Sequence, residues 1–181
     1  LNNMIYDQRQ VFEGVADLLQ ELPQPHLAYL HFWSPHEPYK PHKDFVGKFD
    51  ANPWRPPEKP AHTLGTFGLS YDYLLRARTR YDEYIANIDA EFGRLVETLR
   101  RSGLLDTSYL IVTADHGQMF ERGLEGHGTP LLHEPLLHIP LLVHAPAQQQ
   151  RQDIYELTSN IDLLPTLLHL GGQPAPSWAQ G

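Results

Sequence analysis

The chain of 181 residues contains no cysteine. Disulfides, thiolate zinc centres and a cysteine nucleophile are therefore excluded within it. The compartment stays unassigned. No apolar run reaches the roughly eighteen residues of a membrane-spanning helix. Basic side chains are few: 14 Lys plus Arg against 22 Asp plus Glu give a formal charge of -8. Phosphate backbones need a basic face, so no nucleic-acid partner is expected. There is no Gly-x-Ser-x-Gly elbow, no zinc-protease His-Glu-x-x-His and no P-loop spacing. The chain opens on Leu1 and shows no signal-peptide pattern, which reads as a fragment or a processed product.

What remains is enough for one domain with a core, since 41% of the residues are hydrophobic. Two residue types are abundant, 11 histidines and 16 prolines. The prolines gather at residues 35–60 and 174–176, where they mark loops. The histidines gather at residues 26–42 and 116–144. A single histidine is more often an ordinary surface residue, but clustered imidazoles point to a metal or anion site.

Periodicity predicts a helix over residues 8–21, with Val11, Val15, Leu18 and Leu19 on one stripe. The apolar run at 26–33 fits a buried strand. Residues 34–67 form a long proline-rich loop, and loops of that length are usually functional or mobile. A second helix is predicted over 79–101, where Tyr81, Tyr84, Ile85, Ile88, Phe92, Leu95, Val96 and Leu99 recur at three- and four-residue steps. Gly103 stops it. A strand at 108–113, a glycine-rich loop at 118–130, a strand at 139–144 and a short helix at 162–170 follow. This order suits right-handed βαβ crossovers, hence an α/β fold with a mostly parallel sheet covered by helices.

Three segments could carry chemistry. Tyr109-Leu-Ile-Val-Thr-Ala-Asp-His-Gly117 ends an apolar strand in an acid, an imidazole and a glycine. Ligands of open α/β sheets bind at the carboxyl ends of strands, and Asp115 with His116 offers oxygen and nitrogen donors to a divalent ion. The competing reading is an Asp capping the next turn beside a surface histidine. His36 follows the first predicted strand, between Pro35 and Pro38, and could donate to an oxyanion or protonate a leaving group. His31, inside that strand, reads as a core residue. His127, flanked by Gly126 and Gly128, lets the backbone approach a ligand, or is simply carried on a loop tip.

Taken in order, these pieces resemble the sulfatase family of the alkaline-phosphatase-like superfamily. Leu27-Ala-Tyr-Leu-His-Phe-Trp-Ser-Pro-His-Glu-Pro-Tyr39 is similar to its strand and Pro-His-x-Pro-Tyr loop. Residues 81–105 resemble its long helix. Ile111-Val-Thr-Ala-Asp-His-Gly117 resembles its metal-site strand, and Gly126-His-Gly-Thr129 with residues 134–143 its downstream loop and strand. Ile161-Asp-Leu-Leu-Pro-Thr-Leu-Leu168 resembles its late helix.

The resemblance implies that Asp115 and His116 ligate one divalent cation, Ca²⁺ first, with Mn²⁺, Mg²⁺ or Zn²⁺ as alternatives. It implies that His36 and His127 contact the sulfate or phosphate of a small substrate and that His36 assists the leaving oxygen. His127 stands near the place where many members have a lysine. Gln118 replaces a common Glu, and Arg122 a second histidine of several members. The family's nucleophile, a Cys or Ser matured to formylglycine in a Cys/Ser-x-Pro/Ala-x-Arg motif, has no counterpart here. The expectation is that residues 1–181 are the later portion of a single catalytic domain whose nucleophile lies outside this chain. Its function would be metal-dependent sulfate-ester hydrolysis. The alternatives are a phosphodiesterase, phosphonate-ester hydrolase or phosphoglycerol transferase of the same superfamily, or a non-catalytic metal- or anion-binding fragment. Substrate choice would rest on the loop at 41–67.

Overall fold

The computed structural model describes residues 7–61 and 68–181. The last six residues of the proposed specificity loop, 62–67, lie outside that description. Two compact units divide the chain, Leu1–Ala147 and Gln148–Gly181.

In the first unit, helix α1 runs over Gln8–Glu21 and is opened by Asp7, whose carboxylate accepts from the backbone N–H groups of Arg9 and Gln10. The buried face is carried by Phe12 and Ala16, while Leu18 is 48% exposed. The expected stripe is thus rotated, because the aromatic ring at position 12 claims the contact. Phe12 stacks on Phe32 at 4.6 Å and meets the edge of Phe92 at 6.4 Å. Leu95, Leu99 and Leu105 complete this core.

Helix α2 spans Tyr71–Arg101, eight residues earlier than the apolar periodicity indicates. Ser70 caps it by accepting from the backbone N–H of Tyr73, and Gly103, at φ 77°, ends it in the left-handed conformation. The helix also buries a polar stripe that hydrophobic patterning passes over: Glu83, Asn87 and Glu91. Asn87 Oδ1 accepts from the backbone N–H of His42 at 2.8 Å, and Glu83 Oε1 from that of Gly47 at 2.6 Å. These bonds pin the proline-rich loop around a 3-10 turn at Lys43–Phe45.

A short helix α3 (Leu104–Thr107) leads to strand β1, Leu110–Thr113. Strands β2 (Met119–Glu121) and β3 (Leu124–Gly126), helix α4 (Glu134–Leu137) and strand β4 (Leu141–His144) follow. β1 pairs with β4 antiparallel, Leu110 opposite His144 and Thr113 opposite Leu141. β2 pairs with β3, also antiparallel. The parallel crossovers expected from the element order do not occur among the described residues. The connection from β1 to β4 holds a hairpin and one turn of helix, too little helix to carry the chain back across a sheet. That hairpin replaces the glycine-rich loop. Its two-residue turn, Arg122-Gly123, has φ of 58° and 76°, the two positive angles that a tight hairpin needs.

The apolar run at 26–33 forms no strand. It lacks a ladder partner among the described residues, with Leu27 79% and Tyr29 85% exposed. His31 is exposed as well and meets the Tyr29 hydroxyl through Nδ1 at 3.2 Å, so it is not a core residue. Only Phe32 of this run packs on the core.

In the second unit, helix α5 occupies Leu163–Leu170 after a 3-10 turn at Asn160–Asp162. Ser159 and Asp162 cap that turn reciprocally. Gly171 and Gly172 close the helix, as the sequence indicates.

Because Phe12 joins α1, α2 and the 26–33 segment, replacing it tests the core directly. Phe12→Ala is expected to lower stability by about 3–5 kcal/mol in urea unfolding.

Candidate functional site

The site is built on the turn that leaves β1. After Thr113 the chain is no longer pleated, so Asp115 and His116 can face the same side. Gly117 fixes the turn against α4: its N–H donates to the carbonyl of Leu136 at 2.8 Å. A Cβ at position 117 would overlap the Pro135 carbonyl oxygen. Glycine is required here for close approach rather than for an unusual φ.

Three histidines from separate segments meet beside this turn. The ring of His116 lies 4.1 Å from that of His127, centre to centre. The ring of His36 lies 5.3 Å from that of His127, edge to face. Trp33 supports His36 from its own loop at 4.5 Å. His127 is delivered by the end of the β2–β3 hairpin, whose inner face is anchored by Met119, Leu124 and Leu136. Sequence residues separated by ninety positions thus converge, as the clustering of histidines suggests.

The protonation pattern follows from the acceptors. His36 Nδ1 is 2.8 Å from the carbonyl oxygen of Glu37. His116 Nδ1 is 2.8 Å from the carbonyl oxygen of Gly117. A carbonyl only accepts, so each Nδ1 carries the proton and each Nε2 is left for other partners. His127 Nδ1 lies 3.0 Å from Oε1 of Gln118. Burial, and then the neighbouring His116 and His36, hold the His127 pKa below the usual histidine range; Glu37 and Asp115 oppose this more weakly.

Asp115 and His116 pass a simple test for sharing an ion. Asp115 Oδ1 and His116 Nε2 are 3.8 Å apart. With metal–donor bonds of about 2.0–2.6 Å, one ion can reach both. Asp115 Oδ1 also accepts from the backbone N–H of His116, which steadies the carboxylate. Among the described residues, no group of three or more His, Asp or Glu side chains converges into a fuller shell. The pair fits as two ligands of a shell.

Two residues matter here that the sequence did not single out for a role. The amide of Gln118 bonds both His127 and the hydroxyl of Tyr39. Tyr39 is itself wedged between Tyr81 of α2 and Phe120 of β2, with ring centres 5.3 and 5.9 Å away. Desolvation raises its pKa far above the ordinary phenol value, so it stays a neutral hydroxyl. Tyr39 lies inside the Pro-His-x-Pro-Tyr segment, but nothing in spacing could pair it with a residue 79 positions away. Arg122, by contrast, sits at the hairpin turn and pairs with Glu121 at 3.5 Å. A cleft of about 370 Å³ adjoins Gln118 and is walled by Lys59, Tyr81, Phe120 and Arg122.

Two measurements check this geometry. Gly117→Ala should cost at least about 1–3 kcal/mol in urea unfolding, because backbone rather than a flexible side chain blocks the new methyl group. In an NMR titration of the metal-free protein, His127 should titrate below about 6.5, the free imidazole value. The lowered pKa means that the ring is neutral at pH 7 and gains its charge only as the pH falls further. A midpoint above that value would contradict the packing.

Comparison with known proteins gives the family of the chain. Residues 2–173 match the Sulfatase family profile. Choline-sulfatase of Rhizobium meliloti is 27% identical over 99% of this chain and 40% of its own length. Arylsulfatase K of Bos taurus is 31% identical over 58% of this chain and 19% of its own length. An extracellular sulfatase SULF-1 homolog of Drosophila melanogaster is 30% identical over 57% of this chain and 9% of its own. The chain therefore spans two fifths or less of these relatives. The extent of the profile match, from residue 2 to residue 173, makes this chain a member of the sulfatase family, a family of alkaline-phosphatase-like α/β fold.

Proposed function

We propose that this chain supplies part of the active site of an enzyme that hydrolyses sulfate esters. The observation that carries the reading is the meeting of His36, His116 and His127 beside Asp115 in a member of the sulfatase family. Relatives named choline-sulfatase and arylsulfatase K support the sulfate-ester class.

In this reading Asp115 and His116 hold one divalent cation, Ca²⁺ first, with ligands from elsewhere in the catalytic domain. When bound, the ion supplies Lewis-acid polarisation and charge neutralisation. His36 and His127 receive the anionic group. His36 has its Nδ1–H committed to Glu37, so Nε2 is the atom that can pass a proton to the leaving oxygen. His127 is uncharged before substrate arrives, and an anion beside it raises its proton affinity, placing positive charge where it is needed. The nucleophile belongs outside these residues, since the chain contains no cysteine and no Ser-x-Pro/Ala-x-Arg motif.

Exposed apolar surface supports the view that more of the domain packs on this chain. A two-stranded sheet is marginal alone, and β4 leaves Leu142 61% and Val143 47% exposed. The loop at 56–59 lines the cleft beside Gln118, and in this reading the non-reacting part of the substrate would lie there.

In the full-length enzyme, His36→Ala should lower kcat for a sulfate ester by about 10²–10³-fold. Lys59→Ala should act mainly on KM. The 181 residues alone should show no turnover; robust sulfatase activity from them would overturn the reading. Preference for a phosphate diester over a sulfate ester would move the enzyme to a phosphoryl-transfer branch of the superfamily.

A further inference from the structure

The cleft beside Gln118 holds a cation that its surroundings leave under-bonded. Arg122 lies in the wall, at the turn of the β2–β3 hairpin, with its side chain 31% exposed. A guanidinium keeps its charge at any ordinary pH and carries a fork of N–H donors to be satisfied. Here Nε is buried without a hydrogen bond. Nη1 reaches only the Pro60 carbonyl oxygen, at 3.5 Å. The carboxylate paired with Arg122 is that of Glu121, and it is shared. Glu121 Oε1 stands 3.5 Å from Arg122 Nε, while Oε2 accepts from Lys59 Nζ at 2.7 Å. Two cations thus flank one carboxylate, and the guanidinium has the looser share.

The remaining charges of the cleft do not make up the difference. Asp82 is paired with Arg78 at 3.7 Å, and Glu58 is exposed. Burial raises the Asp82 pKa more than Arg78 lowers it, so this part of the cleft is shielded from water. Shielding strengthens any ionic contact made there. The cleft, of about 370 Å³, also adjoins the histidine cluster. Gln118 lines it and at the same time bonds His127. A molecule whose reacting group sits at His127 can therefore extend past Gln118 toward Arg122.

We propose that Arg122, together with Lys59, is a specificity-determining site for a second anion, so that the preferred substrates are sulfate esters whose non-reacting part carries another anionic group such as a carboxylate. The inference rests on the reading of His36 and His127 as contacts to the reacting sulfate. A carboxylate beside Arg122 would replace its long contacts with a charge-assisted, two-pronged pair, and Glu121 would keep Lys59. A neutral group would leave the guanidinium as it is. A cationic group would meet two cations and find Glu121 already engaged.

The test uses the full-length enzyme and three phenyl sulfates that differ only at the end of a saturated para chain: a carboxylate, its primary amide or a trimethylammonium group. The spacer keeps the acidity of the leaving phenol alike across the series. The carboxylate should exceed the amide in kcat/KM by about tenfold or more, the range expected for hydrogen bonds to a charged group. The ammonium compound should be poorest, and the differences should lie in KM. Arg122→Asn removes the guanidinium but suits the positive φ of this position, and should level the carboxylate-to-amide ratio. If that variant does not fold, Lys59→Gln, at an exposed loop position, takes its place and should lower the same ratio severalfold. A native enzyme that hydrolyses the amide or the ammonium compound as efficiently as the carboxylate would overturn the proposal, as would a ratio unmoved by the substitution. Either result leaves the sulfate-ester reading standing. Hydrolysis of none of the three would remove both.

Discussion

The site depends on a contact that leaves no room for a side chain. Gly117 lies against the backbone of α4, bonded to Leu136 and abutting the carbonyl of Pro135. That contact fixes where the strand end turns. Asp115 and His116 come just before it and Gln118 just after it, so one backbone position orients three side chains of the candidate site. The hairpin that follows is held by the fully buried Met119. It returns His127 to the same place.

A second constraint comes from α2. A helix that buries carboxylates and an amide has to satisfy them. Glu83 and Asn87 do this by accepting from loop backbone at Gly47 and His42. The same loop contributes His36 and Tyr39. The long helix is thus a template for an irregular segment as well as a wall of the core. Aromatic packing of Tyr39 with Tyr81 and Phe120 ties that segment to the hairpin. The lowered pKa of His127 is a result of this convergence: burial lowers it most, and the imidazoles of His116 and His36, brought in by different elements, lower it further.

Much of this was legible in the sequence where a local rule operates. Gly103, Gly171 and Gly172 mark helix ends as expected, whereas the start of α2, capped by Ser70, lies eight residues before the one its apolar stripe indicates and was not read. The strand end before Asp115-His116-Gly117 was visible because an apolar run stops abruptly in an acid, an imidazole and a glycine. What the sequence hid was pairing. An apolar run at 26–33 satisfies the pattern of a strand, but a ladder needs a partner, and none is present among the described residues. The direction of β4 relative to β1 depends on how the intervening chain returns, and that chain holds the β2–β3 hairpin and one turn of helix in place of a crossover helix. His31 looked internal for the same reason that the strand did. The bridge from Tyr39 through Gln118 to His127 was out of reach, because it is a relation in space between polar residues with no periodic signature.

In the proposed function, Asp115 and His116 hold the ion of a sulfatase active site to which His36 and His127 bring the anion. The most direct measurement is electron spin-echo envelope modulation on the full-length enzyme loaded with Mn²⁺. The account predicts a coupling to one directly bound imidazole nitrogen, lost in His116→Ala and retained in His127→Asn. A spectrum without nitrogen coupling, or one unchanged by His116→Ala, would contradict it.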